Sequence, residues 1–167
     1  MLAMIERTDF SRLAILTGLA MAAVVGTALL FEHVGGYIPC KLCLEQRTPY
    51  YIGAPLMILA GLLHRKLPPF VTRGMALIGG LLMLYGATLA TYHAGVEWHW
   101  WAGPADCSGD GANVTVDAGD LLGDLNAKKP PMCDEAALRI LGLSMAGWNV
   151  PTSLALMVTS LFAAKKG

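Results

Sequence analysis

The residues with the most chemistry to offer lie in "YIPCKLCLEQRTPYY", residues 37–51. Cys40 and Cys43 form a Cys-x-x-Cys pair, and Arg47 follows four residues after the second cysteine. Thiolates rather than thiols react, and this spacing lowers a thiol's pKa. Helix N-termini favour anions. A helix starting near Leu44 puts Cys43 at its N-terminal end, with Arg47 one turn on and its permanent charge on the same side. That pattern predicts a Cys43 thiolate with a cation beside it, able to attract an electron-rich oxygen. Two further cysteines, Cys107 and Cys133, stand far along the chain. His93, in "TYHAG", is the one histidine placed where it can join them; His33, His64 and His99 suggest no chemistry.

The elements that must carry these residues are strongly apolar. Of 167 residues, 55% are apolar and only 14% charged, and mean hydropathy is +0.53. A water-soluble domain has about 45–50% apolar and about 25% charged residues, so the composition predicts a membrane protein. Four uncharged runs stand out: Leu13–Phe31, Thr48–Leu63, Gly74–Tyr92 and Trp148–Ala164. None shows the polar stripe of a helix that meets water on one face. About 20 apolar residues cross the hydrocarbon. The expected fold is an all-α, four-transmembrane-helix bundle in one domain, with helices near 13–31, 44–63, 74–92 and 146–164. The first run is too long for a signal-peptide core and lacks a clear cleavage site, so it is read as a retained helix. Pro68-Pro69 ends the second helix.

Charge orients the bundle. With the N-terminus inside, the inner segments hold seven basic residues against Glu6 and Asp9, a net +5. The outer segments, loops 32–43 and 93–145 together with Glu45 and Arg47 at the start of the second helix, hold five basic residues against ten acidic ones, a net −5. Basic loops stay cytoplasmic, so both termini are expected inside and all four cysteines outside. An oxidising compartment favours disulfides. Four cysteines allow three connectivities; Cys40–Cys43 with Cys107–Cys133 is the simplest, and it leaves two redox couples on neighbouring loops. The stretch between Cys107 and Cys133 is rich in Gly, Asp, Pro and Asn, a loop able to move between partners. Asp134–Met145 reads as a short helix on the bilayer surface.

Other readings compete. Cys-x-x-Cys can be half of a zinc site, with Cys107 and Cys133 as the rest, but their separation is wrong for a second close pair, and no metal is expected. Two inert staples are also possible, although Cys40–Cys43 closes almost no loop and so adds little stability. A dithiol at a bilayer edge is suited to passing electrons to a lipid-soluble acceptor, and the natural two-electron one is a quinone, ubiquinone or menaquinone. No haem motif or dinucleotide fingerprint is present.

Cys40-Lys41-Leu42-Cys43 with Arg47, four apolar runs, and Cys107 and Cys133 ahead of "LGLSMAGW" resemble the DsbB family across nearly the whole chain. The DsbA–DsbB–quinone route is the known means of keeping the bacterial periplasm oxidising. The resemblance implies a quinone-dependent protein disulfide oxidoreductase of the bacterial inner membrane, with its cysteine loops periplasmic. It implies as partners a soluble thioredoxin-fold dithiol oxidase similar to DsbA and the membrane's lipid and quinone pool, not nucleic acid. The partner would attack Cys107, Cys133 would then attack Cys40, and Cys43 would be released facing the quinone. Arg47 and His93 would line the quinone site. One departure is Gln46, where the family often carries a glutamate before the arginine. Two rival readings are a vitamin K epoxide reductase-like enzyme, whose close pair lies near a later helix, and a non-catalytic scaffold stapled by disulfides.

Overall fold

The computed structural model describes residues 2–104 and 133–166, with residues 2–9 by backbone only. Four helices dominate: α1 Leu2–His33, α2 Lys41–Leu63, α3 Pro69–Glu97 and α4 Met145–Lys166. Two short strands, β1 Arg139–Ile140 and β2 Leu143–Ser144, form an antiparallel hairpin against the start of α4. Two of the helices, Phe10–His33 of α1 and α3, are long and apolar enough to cross a membrane, with mean hydropathies of 2.3 and 1.6.

The bundle is built from small residues inside and large ones outside. Ala14, Ala54, Ala60, Ala76, Ala90 and Ala163 are buried, with Phe10, Met21, Met57 and Met83 filling the gaps between them. Leu16, Leu30, Leu62 and Leu81 are each more than 60% exposed. Helices that pack in lipid bring small residues together because the tails outside are as apolar as leucine. Close approach is most evident between α1 and α2. A Cβ on Gly18 would lie 2.9 Å from the Ala54 carbonyl oxygen and 2.7 Å from Ile58 Cγ1. One end of the same seam is tied by the Ser11 hydroxyl, which donates to the Gly61 carbonyl at 2.7 Å.

The helices run past the apolar stretches at the end that carries the cysteines. α2 begins at Lys41 rather than near Leu44, and α3 continues through His93 to Glu97. Residues expected in outer loops are therefore held on rigid backbone. The surface helix expected over Asp134–Met145 is absent as such. Leu141 and Gly142 take positive φ values of 52° and 86°, which turns the chain in two residues and pairs Ile140 with Leu143. Two consecutive left-handed residues match the twist of a hairpin and cannot continue a helix. The Trp148 indole N–H donates to the Ile140 carbonyl at 2.9 Å and fastens the hairpin to α4.

Candidate active site

Cys40 is the N-cap of α2. Its backbone is extended, and its sulphur accepts a hydrogen bond from the Cys43 amide at 3.3 Å. Cys40 and Cys43 are free thiols with sulphurs 2.9 Å apart. The anion-favouring helix end thus belongs to Cys40, not to Cys43, because α2 starts three residues earlier than the apolar run suggests. Cys40 is held well below the ordinary thiol range. The hydrogen bond from the Cys43 side chain is the main cause, His93 adds to it, and burial opposes it. The same contact pushes the Cys43 thiol up, so together with the cap geometry it favours the anion at Cys40 rather than at Cys43, where the spacing alone suggested it. A variant lacking Cys107 and Cys133 should show one cysteine's worth of ultraviolet thiolate absorbance across neutral pH. An ordinary thiol, with a pKa of about 8.5, would instead lose about tenfold in thiolate for each unit below that value.

His93, on α3, is 2% exposed. Its Nε2 lies 3.7 Å from the Cys40 sulphur and 3.8 Å from Glu97 Oε1, one turn along the same helix. Its Nδ1 is 2.7 Å from the Gln46 side-chain nitrogen. Gln46 Oε1 accepts from Asn149 Nδ2 at 2.7 Å, and Asn149 Oδ1 accepts from the Tyr50 hydroxyl at 2.5 Å. Ser153 Oγ is 2.8 Å from the same hydroxyl. Helices α2, α3 and α4 are thereby joined by one buried polar chain that ends at the sulphur. It rests on side-chain spacing. Cys43, Gln46, Arg47 and Tyr50 stand at i, i+3, i+4 and i+7 on one face of α2, and Asn149 and Ser153 stand at i and i+4 on α4. These helices do carry polar stripes, but the stripes face each other rather than water.

A cavity of about 320 Å³ opens beside the pair. Its walls include Val24, Phe31 and Trp148, and its polar side includes Arg47, His93 and Cys43. Arg47 does not point an unengaged charge at Cys43; it pairs with Glu32 of α1. The size falls within the roughly 300–1,000 Å³ of ligand sites.

Of the residues singled out from sequence, Cys40, Cys43, Arg47 and His93 line this one cavity. Cys133 is buried and disulfide-bonded, and it belongs to a small apolar cluster with Cys40, Leu42 and Val96. Cys107 lies outside the described residues. Residues that sequence reasoning passed over are Glu32, Tyr50, Glu97 and Asn149. The helical spacing of Glu97 from His93, and of Tyr50 from Gln46, carried the signal; Glu32 and Asn149 have none until the helices pack.

A vicinal dithiol with an anionic sulphur, close to a disulfide and walled into a helical bundle, defines a disulfide oxidoreductase of the membrane-protein class. The family model for disulfide bond formation protein DsbB matches residues 10–163. The chain is 31% identical over 150 residues to the disulfide bond formation protein B of Marinobacter nauticus, covering 86% of this chain and 85% of the relative. It is 28% identical over 148 residues to that of Acinetobacter baumannii, with coverages of 86% and 85%. It is 32% identical over 124 residues to that of Nitrosospira multiformis, with coverages of 62% and 72%. No solved structure matches. The chain belongs to the DsbB family.

Proposed function

We propose that this protein re-oxidises a soluble, periplasmic thioredoxin-fold dithiol oxidase and passes the electrons to a membrane quinone. The observation that carries the reading is the Cys40–Cys43 dithiol at the cavity, with disulfide-bonded Cys133 packed in the same small cluster as Cys40. Two redox couples that close can exchange.

The four helices span the bacterial inner membrane in this reading, with both termini cytoplasmic. At 23 and 22 residues, α2 and α4 reach about 33–35 Å along their axes, enough for about 30 Å of hydrocarbon. The leucine-rich exterior suits lipid.

The thiol chemistry balances as two exchanges. A partner thiolate attacks the Cys107–Cys133 disulfide at Cys107, and the partner leaves oxidised once its second thiol displaces Cys107. The freed Cys133 thiolate attacks the Cys40–Cys43 disulfide at Cys40, and Cys107 completes the exchange. This restores Cys107–Cys133 and leaves Cys40 and Cys43 reduced. The quinone supplies the acceptor for two electrons and two protons. Apolar walls at Val24, Phe31 and Trp148 suit a flat lipid-soluble ring, and Arg47 keeps donors beyond the one engaged by Glu32 for a ring oxygen. Cys40 returns to the disulfide by bonding to Cys43; the two sulphurs give up two electrons and Cys43 its one proton, and the quinol's second proton comes from water.

The test is quinone reduction by protein purified in detergent, with a reduced DsbA-type partner and a short-chain ubiquinone, followed by ultraviolet absorbance. Catalytic loss of quinone that vanishes in both Cys43→Ala and Cys133→Ala is the expected result. No turnover, with both pairs stably closed, would leave a disulfide-stapled scaffold as the better description.

A further inference from the structure

The polar chain through the bundle has a direction. Hydroxyls have one proton and amides present a donor at one end and an acceptor at the other, so each contact constrains the next. Tyr50 donates to Asn149 Oδ1, which leaves Asn149 Nδ2 to donate to Gln46 Oε1. Gln46 is then turned with its NH₂ toward His93 Nδ1, 2.7 Å away. That group has only protons to offer, so Nδ1 must accept.

The other ring nitrogen gives the same answer from different neighbours. His93 Nε2 faces the Cys40 sulphur at 3.7 Å and Glu97 Oε1 at 3.8 Å. A thiolate and a carboxylate both call for a proton between them. The second Glu97 oxygen is buried with no hydrogen-bond partner among the described residues, so that carboxyl is not committed elsewhere. The ionisable groups facing the ring are thus Cys40 and Cys43 from α2 and Glu97 from α3. Gln46 is neutral, and Arg47 is paired with Glu32 on the cavity wall.

We propose that Tyr50, Asn149 and Gln46 form a positioning chain that holds His93 with its proton on Nε2, facing the Cys40 sulphur. The three residues are positioning residues, since none touches the sulphur. The ring nitrogen that meets Cys40 is a standing donor, so the anion is stabilised by an oriented N–H. Putting a proton on Nδ1 would set it against the Gln46 NH₂. Relieving that clash means turning Gln46, then Asn149, then the Tyr50 hydroxyl, each inside a packed helix interface. The inference deepens the thiol-oxidase reading of the same site. Its test needs neither partner nor quinone, so the two can fail separately.

The experiment is nitrogen NMR on full-length protein in detergent, labelled at histidine. The variant lacks Cys107 and Cys133 and is kept under a phosphine reductant, so that Cys40 and Cys43 are its only thiols and both are reduced. His93 is identified by the signal lost in His93→Asn. The expected spectrum at neutral pH has a protonated Nε2 and a bare Nδ1. Gln46→Glu keeps the shape but offers only acceptors when ionised, and should put a proton on Nδ1. Asn149→Leu, which frees Gln46 to turn, should replace the single species with a mixture of tautomers. It should also lower the thiolate fraction at Cys40 by about tenfold at a pH below its midpoint, an upward shift of about one unit. If Asn149→Leu does not fold, the isosteric Gln46→Glu decides alone. A protonated Nδ1 in the parent, or a tautomer unchanged in every folded variant, overturns the proposal.

Discussion

Cys40→Ser should abolish turnover while leaving the fold in place. The expected loss is at least about 10³-fold, equivalent to about 4 kcal/mol of barrier. The reason is that Cys40 does two separable jobs. Its sulphur is the anionic member of the pair, held so by Cys43 and His93. Its side chain also caps α2 by accepting from the Cys43 amide at 3.3 Å. Serine keeps the second job, since a hydroxyl oxygen is among the best N-caps, whereas alanine would forfeit about 1 kcal/mol of helix stability. Serine cannot do the first, because it forms no disulfide. Comparing the two variants by turnover and by thermal unfolding separates the roles. Cys40→Ser is expected to unfold near the parent's temperature and Cys40→Ala lower, both without activity. Turnover by Cys40→Ser would show that the electrons leave by another route.

The second large effect concerns the frame. Gly18→Leu should collapse the packing of α1 on α2. The first added atom would sit 2.9 Å from both the Ala54 carbonyl oxygen and the Ile58 amide nitrogen. These are backbone atoms of a helix and cannot turn aside, so the helices must separate. Overpacking costs about 1–3 kcal/mol and occasionally more where nothing yields; this site belongs at the upper end. The control lies two turns along the same helix. At Gly26 an added Cβ meets nothing within 4 Å, so Gly26→Leu should be tolerated. Both glycine-to-leucine changes gain similar helix propensity, so a difference in unfolding temperature reports packing alone. Equal tolerance would mean that α1 does not pack on α2 as described. The consequence for function is direct, because α1 supplies Val24, Phe31 and Glu32 to the cavity.

Gln46 shows how little a one-letter departure reveals before the helices meet. In the sequence it is a neutral residue where the family often has an acid, and its effect on the site's charge is open. In the structure it lies between two other helices. Its Oε1 accepts a hydrogen bond from Asn149, and its NH₂ faces His93 Nδ1. A carboxylate could not do both, so the substitution changes which nitrogen of His93 is free to accept rather than only removing a charge.

Much of the candidate site was legible because it is local. Cys40 and Cys43 are three residues apart, and Arg47 lies one helical turn beyond, so any helix there brings them to one face. The long apolar runs announced the helices because a membrane's interior leaves the backbone no partner but itself. Their ends were less legible. Lys41–Cys43 and His93–Glu97 are helical although polar, because hydropathy marks where lipid is and not where hydrogen bonding stops. Asp134–Met145 carried a weak helical pattern, but Leu141 and Gly142 in left-handed conformations turned part of it into a hairpin. Which cysteine caps α2 was decided by where the helix starts, a matter of three residues. The engagement of Arg47 by Glu32 and the chain from Tyr50 through Asn149 to His93 join residues 15, 99 and 103 positions apart. Sequence alone fixes the residues that can react. Only packing decides which of them faces which, since pairing across helices depends on their rotation and depth, and neither is written in the spacing along one helix.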